Sequence, residues 1–119
     1  MQTQQTLDFV LDKIDDLKAR DIKVFDVSET SSITDFMVIC SGNSKKHVQS
    51  IAEHVALEMK AINEEALGIE GMDTGEWVLV DFSDVVVHVM QEGTRDFYQL
   101  EKLWQSALES NESAGGEQE

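Results

Sequence analysis

Residues 77–92 read Trp-Val-Leu-Val-Asp-Phe-Ser-Asp-Val-Val-Val-His-Val-Met-Gln-Glu, and this stretch decides the fold. Two runs rich in β-branched and aromatic residues flank the polar pair Ser83 and Asp84. That pattern predicts two antiparallel strands joined by a tight turn. The turn holds no glycine, which favours a type I turn with a bulge over a mirror-image turn. Side chains alternate across a strand, so Trp77, Leu79 and Asp81 share one face while Val78, Val80 and Phe82 share the other. In the second run Val85, Val87 and Val89 alternate with Val86, His88 and Met90. Both faces carry apolar side chains. Only one can meet the protein's own core unless helices cover both. Function then turns on which side chains stay available to a partner.

The flanking segments supply the helices. Leu7, Val10, Leu11, Ile14 and Leu17 recur at helical spacing and predict a helix over 3–20. A short strand over 22–27 and a polar loop over 28–34 follow. The nearly continuous apolar run 35–41 reads as a central strand covered on both sides. Asn43 or Ser44 can cap the next helix, which reaches about residue 64 and buries Val48, Ile51, Ala52, Val55, Met59 and Ile62. A strand-like segment at 66–71 and a loop over 71–76 lead into the hairpin. After Gly93 a final helix is predicted over 94–108, with Phe97, Leu100 and Trp104 as its inner stripe and Tyr98 off it. The alternation of helices and strands predicts an α/β sandwich, a mixed β-sheet flanked by helices. Residues 1–108 form its one domain. Residues 109–119 are polar, acidic and free of bulky apolar side chains, which predicts a disordered tail.

The chain has 119 residues, a hydrophobic content of 41% and a net charge of −15. A wide basic surface for gripping phosphates is therefore not expected, and little direct nucleic-acid contact follows. An acidic chain should favour a basic partner, although such charge also serves plain solubility. Four aspartates in the first twenty residues argue against a secretory signal peptide, and no apolar run is long enough to span a membrane. Cys40 is the single cysteine and sits in the apolar run, which predicts a buried, inert thiol. A cytoplasmic location is the expectation.

Candidate chemistry is sparse. The Ser-Gly-Asn-Ser junction at 41–44 resembles a phosphate loop only weakly, with one glycine and no lysine in register, so a helix cap is the better reading. Lys45 and Lys46 read as solvated. His47 and His54 are seven apart, roughly 10 Å along a helix axis, too far for one metal ion. Both read as surface histidines. His88 reads as a structural histidine bonded to a loop carboxylate, Asp81 or Asp84. Those aspartates flank a turn, where local hydrogen bonding is their ordinary role. No catalytic constellation, metal site or cofactor site emerges. Trp77, Leu79, Tyr98 and Met72 remain as large side chains off the core stripes, and aromatic residues are enriched in binding hot spots.

Four blocks carry a specific resemblance. They are Ser-Ser-Ile-Thr-Asp-Phe-Met-Val-Ile-Cys-Ser-Gly-Asn-Ser at 31–44, Gly-Ile-Glu-Gly at 68–71, the run 76–90, and Tyr-Gln-Leu-Glu-Lys-Leu-Trp at 98–104. Together they resemble the ribosomal silencing factor (Iojap) family, over about residues 6–104. The resemblance implies a non-enzymatic, cytoplasmic translation repressor. Such a protein binds the large ribosomal subunit at large-subunit protein fourteen and sterically blocks joining of the small subunit. It also implies a nucleotidyltransferase-like fold without the chemistry, since no Gly-Ser followed by paired aspartates is present. The docking surface it implies comprises Trp77, Leu79 and Tyr98, with Met72, Asp73, Glu92 and Arg95 at the rim. Two rivals accompany this reading. One is a nucleotide-binding or vestigial nucleotidyltransferase-like protein using Ser44, Asp81 and Asp84. The other is a homodimeric adaptor, and a homodimer of the free protein is also compatible with the main reading.

Overall fold

The computed structural model describes residues 2–30, 32 and 34–94. The order of elements is α1 (Thr3–Asp16), β1 (Arg20–Asp26), β2 (Phe36–Gly42), α2 (Lys45–Ala61), β3 (Gly68–Glu70), β4 (Trp77–Asp81) and β5 (Val85–Gln91). The strands make one sheet in the order β1-β2-β5-β4-β3. Among the described strands only the β2–β5 pair is parallel, and the other three pairs are antiparallel. The mixed α/β architecture expected from the sequence is therefore present, with the 77–91 hairpin at its centre. Residues 92–94 are helical, and the remainder of the predicted final helix over 94–108 lies outside the described residues, as do residues 109–119.

Helices α1 and α2 lie on one face of the sheet. Leu7, Val10 and Ile14 of α1 and Val48, Ile51, Ala52, Val55 and Met59 of α2 form the main core with Val38, Cys40, Val78, Val80, Val85, Val87 and Val89. Strand periodicity sends the alternate residues to the opposite face, where Val27, Met37, Ile39 and Met90 make a second cluster with Phe25 and Trp77 packed against it. Burial of both faces of β2 and β5 explains their continuous apolar runs. Cys40 is fully buried, as its place in β2 requires.

Helix ends differ from the sequence expectation for one physical reason. α1 stops at Asp16 rather than at residue 20, because Lys18 takes a left-handed backbone (φ 63°). The Ala19 amide then reaches back to the Ile14 carbonyl at 3.2 Å and the Lys18 amide to Asp15 at 2.9 Å. α2 ends the same way, with Asn63 left-handed (φ 65°) and the Glu64 and Asn63 amides bonded to Met59 and Lys60. This pair of bonds satisfies the last carbonyls of a helix, usually with glycine at the left-handed position. Ile62, expected in the core, falls past the end of α2 and is 36% exposed. Lysine in that conformation stores strain, so Lys18→Gly should stabilise the fold by roughly 0.5–1 kcal/mol. Thermal melting of the variant checks this. A melting temperature at or below wild type would count against it.

The hairpin turn also departs from expectation. Ser83 takes φ 75°, and the Asp84 amide bonds the Phe82 carbonyl at 3.0 Å, which is not type I geometry. The Asp81 carboxylate accepts the Ser83 amide at 2.8 Å and holds it there. Ser44 caps α2, its hydroxyl accepting the His47 amide at 3.0 Å.

Candidate docking surface

β4 separates its two faces sharply. Val78 and Val80 are fully buried under the helices, whereas Trp77, Leu79 and Asp81 are half-buried on the other side. Register sets what surrounds them. Trp77 lies across from Met90, Leu79 from His88 and Asp81 from Val86. On the outer side Leu79 faces Glu70 of β3. Trp77 and Leu79 are thus brought together, on a floor made by β5 and β2.

His88 sits under this pair. Its register partners are Leu79 on β4 and Ile39 on β2. The Trp77 indole N–H donates to its Nδ1 at 2.9 Å, and the two rings lie 5.8 Å apart at 45°. The expected carboxylate partner, Asp81 or Asp84, is therefore replaced by an indole, which shares a face with His88 and sits diagonally across the ladder. Burial pushes the imidazole well down, to about 4, so it is neutral at pH 7. Nδ1 accepts, so the remaining proton belongs on Nε2.

The predicted rim is divided. Met72 packs against the helix-side core, and its carbonyl accepts Gln49 Nε2 at 2.6 Å, so it lies on the other side of the sheet from Trp77. Asp73 is exposed in the same loop, which turns back under Gly71 and Gly75, both at positive φ. Glu92 follows β5 and pairs with Arg20 at 3.1 Å. Tyr98 and Arg95 lie outside the described residues. Glu70 and His88 are neighbours that the sequence reading did not assign to this surface. The alternation grouped His88 with Val86 and Met90, but the face of β4 they share and the partner of His88 needed the register.

The other candidates resolve differently. Ser44 follows the C-terminal end of β2, while Asp84 sits at its start, where its carbonyl accepts the Asp35 and Phe36 amides. Ser44 is thus about 20 Å from Asp81 and Asp84, the length of a seven-residue strand. The trio proposed for a vestigial enzyme is not assembled. Asp84 instead accepts the Thr3 hydroxyl at 3.1 Å. The two α2 histidines are not idle surface groups, as the sequence reading had them. His47 accepts the Asn43 amide on Nδ1 and contacts the Leu17 carbonyl through Nε2 at 2.7 Å, tying the end of α1 to the start of α2. His54 lies 3.0 Å from Asp16, and that bond holds the Asp16 carboxyl below its usual range. A shallow groove of about 390 Å³ beside β3 is lined by Ala56, Leu57, Ala66 and Ile69, with Lys60 and Glu65 at its edge. Among the described residues no helix is long and apolar enough to cross a membrane.

Comparison with known proteins gives consistent results. The family model described as "Ribosomal silencing factor during starvation" matches residues 1–119. A Haemophilus influenzae ribosomal silencing factor is 44% identical over 98 residues, covering 82% of this chain and 96% of that one. A mouse protein named for mitochondrial assembly of the ribosomal large subunit is 35% identical over 101 residues, covering 82% of this chain and 44% of that one. Among solved structures, a Chromobacterium violaceum protein superposes with a TM-score of 0.86 at 37% identity, over 88% of each chain.

Proposed function

The chain belongs to the ribosomal silencing factor family, and from that premise we propose that it represses translation by docking on the large ribosomal subunit. In this reading the contact is large-subunit protein fourteen, and the bound protein sterically blocks joining of the small subunit. The role is regulatory rather than catalytic. The names of the bacterial and mitochondrial relatives share the ribosome, and the mouse name specifies its large subunit. The observation that carries the site is the contrast along β4. Val78 and Val80 are sealed, while Trp77 and Leu79 stand half-exposed side by side over a packed floor. A large aromatic beside an aliphatic group on a rigid strand is the kind of anchor that dominates interface energetics. Glu70 beside Leu79 adds negative charge at the anchor, suited to a basic ribosomal protein. Tyr98 and Arg95 complete the proposed surface from the segment after Gly93.

Truncating an anchor should weaken binding strongly. Trp77→Ala and Leu79→Ala should each cost about 2 kcal/mol of affinity, roughly thirtyfold. Co-sedimentation with purified large subunits, alongside a subunit-joining assay, measures both consequences. Melting curves establish that the variants stay folded, since both side chains also pack on the protein. Folded variants that still bind at wild-type affinity and still block joining would move the docking site elsewhere.

A further inference from the structure

We propose that His88 is a positioning residue of the docking surface, holding the Trp77 ring in the orientation that a partner meets. The inference rests on the reading of Trp77 and Leu79 as docking residues.

The face of β5 that carries His88 is otherwise apolar. Val86 and Met90 occupy the neighbouring positions and fill the space with hydrocarbon. A third aliphatic residue at 88 would pack equally well but would offer the indole no acceptor. His88 is only 7% exposed, so a polar ring there carries a desolvation cost that must be offset by a bond. The 2.9 Å bond from the Trp77 indole supplies one. An indole N–H can only donate, so the arrangement needs the imidazole neutral with Nδ1 unprotonated. Burial keeps it so near neutral pH.

The same ring backs Leu79. His88 is the direct register partner of Leu79, and strand neighbours of this kind have Cβ atoms about 5 Å apart. One buried side chain thus fixes the tilt of Trp77 and supports Leu79 from the adjacent strand. A half-buried tryptophan without a fixed acceptor would sample more rotamers when free. Freezing them would then oppose binding, which is the cost that preorganisation removes. His88 reaches the partner only through Trp77 and Leu79.

Three substitutions in the full chain separate positioning from packing. His88→Leu keeps bulk and removes the acceptor. Trp77→Phe keeps an aromatic ring and removes the donor. His88→Asn places an amide oxygen close to the position of Nδ1. Affinity for purified large subunits should fall about tenfold in His88→Leu and in Trp77→Phe, the scale of one lost oriented hydrogen bond. The double variant should lose little more than either single one, because both remove the same bond. His88→Asn should recover most of the loss. The Trp77 indole proton resonance, identified by its absence from Trp77→Ala, should shift in His88→Leu and return towards wild type in His88→Asn. Additive losses in the double variant, equal losses for Leu and Asn at 88, or an unmoved indole resonance in His88→Leu would each overturn the inference. Trp77→Phe leaves His88 in place and keeps an aromatic ring over it, so the test survives a poorly folding His88→Leu. Wild-type binding by folded Trp77→Ala would instead remove the docking reading itself, and the inference with it.

Discussion

Gly71→Ala should lower the melting temperature by roughly 10 °C, an effect larger than that of most surface changes. Gly71 has φ +90°, a conformation that side chains resist. A Cβ built there runs into the Trp77 carbonyl oxygen and comes within 3.1 Å of its carbon. Both are backbone atoms of a paired strand and cannot swing aside. Backbone strain and overpacking at such a site cost about 3 kcal/mol together, with the larger part falling on whichever of the loop or β4 must move. If β4 moves, Trp77 moves with it, and docking should weaken alongside stability. Gly68→Ala is the matched control. It adds the same methyl group where nothing lies within 4 Å, and it should melt close to wild type. Calorimetric melting of the two variants checks the pair. A Gly71→Ala protein as stable as Gly68→Ala would show that the loop does not press on the strand.

Acid should remove roughly 3 kcal/mol of stability through His88 alone, between about pH 6.5 and pH 4. The ordinary value of the imidazole is 6.5, and burial lowers it to about 4 in the folded chain. Between those values the unfolded chain takes up a proton at this site and the folded chain does not. Protonation therefore pulls toward the unfolded state as pH falls, and stability rises again as pH rises. Below about 4 the folded form also protonates, and this contribution stops growing. Asp16 and Asp26 act lower on the scale. Bonds to His54 and Ser28 hold their carboxyls below the usual range, so their stabilisation is present above that range and is lost beneath it. Relief of self-repulsion in a chain of net charge −15 works in the opposite direction on acidification. The difference between wild type and His88→Asn isolates the histidine. Urea unfolding at pH 7 and pH 4.5 should show the larger loss in wild type. Parallel losses in the two proteins would mean that His88 titrates normally.

The hairpin, the two helices and the buried β2 run were legible because each rests on local periodicity. Alternation alone assigned Val78 and Val80 to one face and Trp77 and Leu79 to the other. The helical stripe gave Val48, Ile51, Val55 and Met59. What was not legible depended on local exceptions or on long-range register. Lys18 and Asn63 end their helices in a conformation that favours glycine, and nothing in their neighbours announces it. Ile62 was misjudged accordingly and is a surface residue, while Leu17 packs on the core as the C-cap of α1 rather than within the helix. The partner of His88 required knowing that Leu79 faces it, which puts Trp77 diagonally above the ring. The parallel pairing of β2 and β5 sends Ser44 and Asp84 to opposite ends of the sheet, an outcome no spacing in the sequence reveals. The sequence offered Met72 as a rim residue of the docking surface. The tight loop at 71–75 instead folds it toward α2.

The central position of β5 also has a consequence for synthesis. Of the described strands it is made last, yet β2 and β4 both pair with it and β1 and β3 are attached only through them. A growing chain that has not yet exposed residues 85–91 has two separate strand pairs with nothing between them. Its most apolar segment, β2, then has a free edge on the side meant for β5. Completion of the sheet must wait until residues 85–91 have left the translating ribosome, and the closing step joins segments separated by α2, β3 and β4. Such late, non-local closure slows folding and lengthens the time during which an apolar edge is open to aggregation. The strand that floors the docking surface is thus also the one whose arrival commits the chain to its fold.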